Sequence, residues 1–279
     1  MRAFFRDSPF RLFIGLFLLL AVAVIGLILP WFAPGDPLEW YASPRNQAPS
    51  MAHLLGTTSL GQDIFWLLTF AVHNSLLLGV SVAFLATLIG VFLGLLAGYV
   101  GGWPDRALFF FMDALVSIPT LPILILLAVL FGGQLALPVT AVALVIFNWP
   151  FPGRQVRAIA LSMREREFIH VAWFAGESRT RILVRHIFPY ISGWSMANFI
   201  NTVLVVIATE SALAVIGLSS ALQATLGTMI YWALEYQALL AGRWVWIGAP
   251  VAAIVCLFIG LFLVSSGLSM RAAERRMSL

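Results

Sequence analysis

Two acids, Asp113 and Glu210, stand inside long apolar runs. An acid in hydrocarbon is costly, so such a residue faces a cavity or a partner rather than lipid. Two readings are open for each: a lining or gate of a path through the membrane, and a hydrogen-bonded structural acid near the end of a span. Arg106 lies about two helical turns before Asp113, close enough for a pair at one membrane face. His53 and His73, on or near the outer face, read as ordinary polar residues. No His-rich metal set and no nucleophile motif lies in the apolar runs, and Cys256 reads as a structural thiol. All 16 positive residues are arginine. Without a lysine the chain cannot contain the G-x-x-x-x-G-K-[ST] phosphate loop. The expectation is no catalytic residue, no metal and no cofactor, with any ATP bound by another chain.

The elements that must position these acids are membrane helices. The chain is 61% hydrophobic and 10% charged, with a mean hydropathy of +0.98. A soluble domain has about 25% charged residues. A spanning helix needs about 20 mostly apolar residues. Six such runs are expected: Leu12–Phe32, Ser75–Tyr99, Ala107–Leu130, Leu135–Phe151, Ile191–Leu218 and Trp244–Ser269. The first is longer than the apolar core of a signal peptide, about 7–15 residues, and reads as a retained helix. With the N-terminus in the cytoplasm, 14 arginines fall inside and two, Arg45 and Arg243, outside. Such a bias fixes the orientation. The basic residues, separated by apolar runs, form no nucleic-acid patch.

The expected organisation is all-α. A cytoplasmic N-terminus (1–11) precedes the first helix (12–32) and an extracytoplasmic segment (33–74). A five-helix core (75–269) carries a cytoplasmic loop (152–190) and an outer loop (219–243), and a cytoplasmic tail (270–279) follows. Gly90, Gly94 and Gly98 recur every four residues, a spacing that lets two helix backbones approach closely. Pro119 and Pro122 should kink or break the third span, and Pro150 and Pro152 the end of the fourth.

Seven arginines lie in the loop 152–190. Residues Glu167, Phe168, Ile169, His170, Val171, Ala172 and Trp173 have helical propensity. Gly176 is a helix stop, Ser178 a candidate cap, and Pro189 the start of the next span. This spacing predicts helix, turn, helix. Phe168, Ile169, Ala172 and Trp173 are apolar yet have no evident place to hide. They form either a docking surface for a partner or an amphipathic helix resting on the lipid interface.

The segment resembles the cytoplasmic E-A-A loop of permeases from binding-protein-dependent ABC importers. His170-Val171-Ala172 stands for E-A-A, Gly176 for its glycine, and His186-Ile187-Phe188-Pro189 for I-x-L-P. The resemblance extends further. Leu55 to Phe65 resembles the L-G-T-D-x-x-G-R-D-x-F stretch of the dipeptide/oligopeptide/nickel subfamily, with Thr58 and Gln62 departing. Gly98 to Asp105 resembles G-Y-x-G-G-W-x-D. Asp113 with Ile118-Pro119 resembles D-x-x-x-x-x-P, and Glu210 through Leu218 resembles E-x-x-L-x-F-L-G-L, with Val215 and Ile216 departing. The resemblance implies the shorter permease of a heterodimer in the inner membrane of a bacterium or archaeon. It also implies two cytoplasmic ATP-binding subunits docked on residues 167–176, and an extracytoplasmic substrate-binding protein. Peptides are the implied cargo, with oligosaccharides and nickel as alternatives. The rival class is a self-contained secondary transporter or channel, with Asp113 and Glu210 as its only acids for a coupling ion.

Overall fold

The computed structural model describes residues 8–277, with side chains for 10–267. Residues 1–7 of the expected N-terminus and 278–279 of the expected tail lie outside the described residues. In chain order the helices are α1 (Ser8–Ala23), α2 (Ile64–Val100), α3 (Gly102–Ser117), α4 (Thr120–Leu130) and α5 (Leu137–Asn148). They continue with α6 (Pro150–Arg164), α7 (Glu167–Phe174), α8 (Arg179–Ile182), α9 (Phe188–Val215), α10 (Leu226–Glu235) and α11 (Trp244–Met277). Among the described residues no strand forms, only the isolated bridges Thr57–Asp63 and Leu135–Ser219.

Among the described residues, four helical stretches are long and apolar enough to cross a membrane: Phe10–Phe32, Ile64–Val100, Arg179–Val215 and Trp244–Gly267. A fifth crossing exists if α3 and α4, bent by 77° between Ser117 and Thr120, count as one span. Pro119 lies in that break, where its missing N–H and ring end the first helix. The run expected as a fourth span is the 12-residue α5. At 1.5 Å per residue it reaches about 18 Å, short of the roughly 30 Å hydrocarbon core. The helical path does not stop there. Trp149 N–H donates to the Val145 carbonyl at 3.2 Å, and Gly153 N–H to the Trp149 carbonyl at 3.1 Å. α2 begins at Ile64, so residues 64–74 of the expected outer segment are helical.

Two prolines follow π turns. Val24–Ile28 widens just before Pro30, and Leu183–Ile187 just before Pro189. Phe188 N–H reaches back five residues to the Leu183 carbonyl. The extra residue makes room for a ring that would clash with the carbonyl four residues back. Pro189 therefore begins no new helix after a gap, and the helix is continuous from Arg179 to Val215. At the first π turn, His73 Nδ1 stands 2.8 Å from the Gly26 carbonyl. That is the acceptor Pro30 cannot serve, so the ring carries its proton on Nδ1 and ties the first helix to α2.

The chain divides into two compact groups. The first comprises residues 8–80, 124–140 and 204–277. Here Gly15 and Gly260 allow α1 and α11 to cross closely. The outer segment folds on itself, with Tyr41 N–H on the Leu60 carbonyl and Ser43 N–H on that of Gly61. Trp40 meets Trp232 of α10 edge-on at 6.0 Å.

The second group comprises residues 81–123 and 141–203. Its centre is the crossing of α2 with α6. A Cβ on Gly90 would lie 2.6 Å from the Trp149 carbonyl, on Gly94 2.5 Å from that of Gly153, and on Gly98 2.6 Å from that of Arg157. The four-residue glycine spacing thus matches a four-residue row of carbonyls on the partner helix. Helix packing, the expected role of this stripe, is what it does.

Candidate functional site

The loop 164–190 folds as a helical hairpin within the second group. Gly176 takes φ +84°, and Glu177 N–H donates to the Ala172 carbonyl at 3.1 Å. This six-to-one bond closes α7 in a way that needs the left-handed conformation glycine adopts freely. Ser178 caps the next helix, accepting from Arg181 N–H at 3.4 Å. His186 Nε2 lies 3.0 Å from Glu177 Oε2 and braces the turn.

The faces of α7 correct one expectation. Phe168, Ile169, Ala172 and Trp173 do not share an outward face. Ile169 and Ala172 are buried against the chain's own Val91, Val156, Ala160, Met163, Ile182, Ile187 and Ile191. Phe168 stacks on Tyr190 at one flank. The outward ridge is Val171 and Phe174, 68% and 80% exposed. Residues 171 and 174 are three apart and fall on one side of a helix, opposite 169 and 172. His170 and Trp173 occupy the other flank.

The two intramembrane acids have protein partners. Asp113 pairs with Arg154 of α6 at 2.7 Å, with nearly half of its side chain exposed. Arg106 is not its partner. Glu210 is fully buried. Its Oε1 accepts from Ser219 Oγ at 3.1 Å and from Thr225 Oγ1 at 2.8 Å. Thr225 is also the N-cap of α10, in a capping box with Thr228. Glu210 therefore ties the end of α9 to the loop that starts α10.

Sequence reasoning did not single out one further pair. Arg157 of α6 grips Asp105 of α3 with both Nε and Nη2, the latter at 2.7 Å, and lies over the Phe109 ring. Asp105 is 6% exposed. The hydrogen bond to Asp105 raises the Arg157 pKa above its ordinary value; burial works against this, and the carboxylate's charge adds to it. The only signal was Asp105 at the end of the G-Y-x-G-G-W-x-D stretch. Nothing local named an arginine 52 residues later. His53, read as an ordinary polar residue, bonds Asp63 at 2.7 Å. Asp63 caps α2, accepting from Phe65 and Trp66 N–H.

Residues 90–279 match the family described as binding-protein-dependent transport system inner membrane component. The oligopeptide transport system permease protein OppC of Mycobacterium tuberculosis is 31% identical over 233 residues, 82% of this chain and 79% of that one. The glutathione transport system permease protein GsiD of Pectobacterium atrosepticum is 34% identical, over 74% of this chain and 68% of that one. The dipeptide transport system permease protein DppC of Bacillus subtilis is 33% identical, over 73% and 63%. Among solved structures, the inward-facing MetNI methionine ABC transporter shares the fold. Its TM-score is 0.56 at 20% identity, over 75% of this chain and 97% of that one. With the helical fold and the loop geometry above, this places the chain in the binding-protein-dependent inner membrane component family, as a permease subunit of an ABC importer.

Proposed function

We propose that this permease forms half of a translocation path for peptides, pairs with a second homologous permease, and accepts cargo from an extracytoplasmic binding protein. Two cytoplasmic ATP-binding subunits hydrolyse the nucleotide and transmit the resulting motion to the permease through α7. The observation that carries the coupling role is the Val171–Phe174 ridge. It is exposed, apolar and held rigid from behind by buried Ile169 and Ala172 and at its end by the Gly176 turn. Peptide cargo rests on the named relatives that carry oligopeptides and dipeptides. Both termini lie in the cytoplasm, and six spans run through α1, α2, the bent α3–α4 pair, α5 with the start of α6, α9 and α11. Asp113 and Glu210 act as structural acids, each engaged by its own partners.

The test compares two faces of α7. Val171→Asp with Phe174→Asp charges the ridge alone. This protein should reach the membrane at normal level and pair with the second permease. It should lose co-purified ATP-binding subunits and the uptake of labelled peptide. Ala172→Asp instead buries an unpaired charge at a cost of several kcal/mol, so its membrane level itself should fall. Full uptake by the ridge variant with no ATP-binding subunit recovered would refute the importer assignment and favour a self-contained transporter.

A further inference from the structure

A cavity of about 270 Å³ opens on the flank of α7 opposite Phe168. Tyr99 at the end of α2, Arg164 at the end of α6, His170 and Trp173 on α7, and Arg179 at the start of α8 line it, and no acid does. Arg164 is held in place. Its Nη1 crosses Gly101, where a Cβ would sit 2.8 Å away, and its Nε donates to Glu165 at 3.0 Å. Arg179 and His170 have no ion-pair partner among the described residues. Two guanidinium groups and an imidazole line a space that no acid lines; Glu165 engages Arg164 through Nε, while Arg179 has no carboxylate partner among the described residues. That is the chemistry of a phosphate site.

The surroundings point to where the phosphate comes from. Tyr99 lies at the end of a spanning helix, and the nearby Val100, Trp103 and Trp173 are 56%, 79% and 58% exposed. Tryptophan and tyrosine at a helix end mark the membrane–water interface. Basic pockets between helices at the cytoplasmic face suit acidic head groups. We propose that this cavity binds the phosphate group of an anionic phospholipid of the cytoplasmic leaflet. The proposal rests on the orientation given above. A bound head group would join α2, α6, α7 and α8, the elements that hold the ridge.

The test reads lipid on the intact complex. The complex is placed in nanodiscs of phosphatidylcholine alone or with phosphatidylglycerol added, released into detergent, and its retained lipids counted by native mass spectrometry. Wild type should retain phosphatidylglycerol over phosphatidylcholine. Arg164→Gln with Arg179→Gln should lower that retention by roughly tenfold or more, two charge-assisted bonds being lost. Arg106→Gln with Arg181→Gln removes the same charge away from the cavity and should leave retention unchanged. His170→Glu restores the acid of the family pattern at an exposed position, so it keeps the fold while placing a carboxylate in the site, and it too should reduce retention. Displacement by millimolar inorganic phosphate would keep the phosphate site but assign it to a soluble anion. Equal retention in wild type and the Arg164/Arg179 variant would overturn the proposal. So would unchanged lipid with loss of the ATP-binding subunits, which would give the cavity to an acidic protein surface. Lipid counts on the permease do not depend on the ridge, so a failure of the coupling reading leaves this result standing.

Discussion

Glu210 shows what a buried acid does when its lone pairs are claimed. Its Oε1 receives two hydroxyls, from Ser219 and Thr225, while Oε2 has no protein donor among the described residues. A glutamine keeps the oxygen acceptor, so Glu210→Gln should hold the loop and preserve uptake. Glu210→Ala leaves both buried hydroxyls without an acceptor there, at about 1–3 kcal/mol for each group orphaned. The alanine variant should unfold at lower temperature and be cut by protease between residues 219 and 225. Lost uptake in Glu210→Gln, with the loop and assembly intact, would restore the gate reading. The need for partners was legible in the sequence, because an acid among apolar residues cannot stand alone. Their identity was not. Asp113 takes Arg154 from another helix rather than Arg106 a few turns away, and the Asp105–Arg157 grip joins α3 to α6. Such pairs depend on which helices cross, and that is not local information.

Among the elements, α2 and α6 show how far a spacing can be read. Glycines every four residues announced a close crossing, but not that the partner would present the Trp149, Gly153 and Arg157 carbonyls in the same register. The crossing makes a sharp comparison available. A methyl on Gly94 would meet backbone on two sides, at 2.5 Å from the Gly153 carbonyl and 3.1 Å from Arg157 N. Gly193, within α9, has nothing within 4 Å of an added Cβ. Gly94→Ala should therefore lose about 1–3 kcal/mol by forcing the helices apart. Gly193→Ala should be neutral, or gain about 0.5–1 kcal/mol from helix propensity. Thermal unfolding of the two purified complexes decides this, and equal midpoints would show that the crossing yields. The π turns before Pro30 and Pro189 were not legible, since a proline signals a break and does not say how the chain accommodates it. Nor was the inward face of α7, because an eight-residue helix is too short for its pattern to say which apolar residues meet the chain's own core.

At the scale of the whole molecule, two features bear on the number of membrane crossings. Arginine distribution argues for six, whereas helix length alone supports four or five. The two counts differ over the bent α3–α4 pair and the short α5. Hydrogen bonds bear on both. Leu135, between α4 and α5, donates to the Leu218 carbonyl and accepts from Ser220 N–H, and Gln134 accepts from Ala221 N–H. Residues 218–221 follow the long helix that starts at Arg179. If that helix crosses from the arginine-rich side, the tip at 134–135 is outside with them. The bent pair must then have crossed to reach it, and α5 with the start of α6 must cross back to return Arg154 and Arg157 to the cytoplasm. Single cysteines at Gln47, Gln134 and Ser178, in a Cys256→Ser background, test this in sealed right-side-out vesicles. An impermeant maleimide should label Gln47→Cys and Gln134→Cys directly, and Ser178→Cys only after the membrane is opened. Labelling of Gln134→Cys only after opening would make α3–α4 a re-entrant hairpin and α5 no span at all. Direct labelling of Ser178→Cys would put the α7 ridge on the wrong side for a nucleotide-driven partner, and the coupling assignment would fall with the topology.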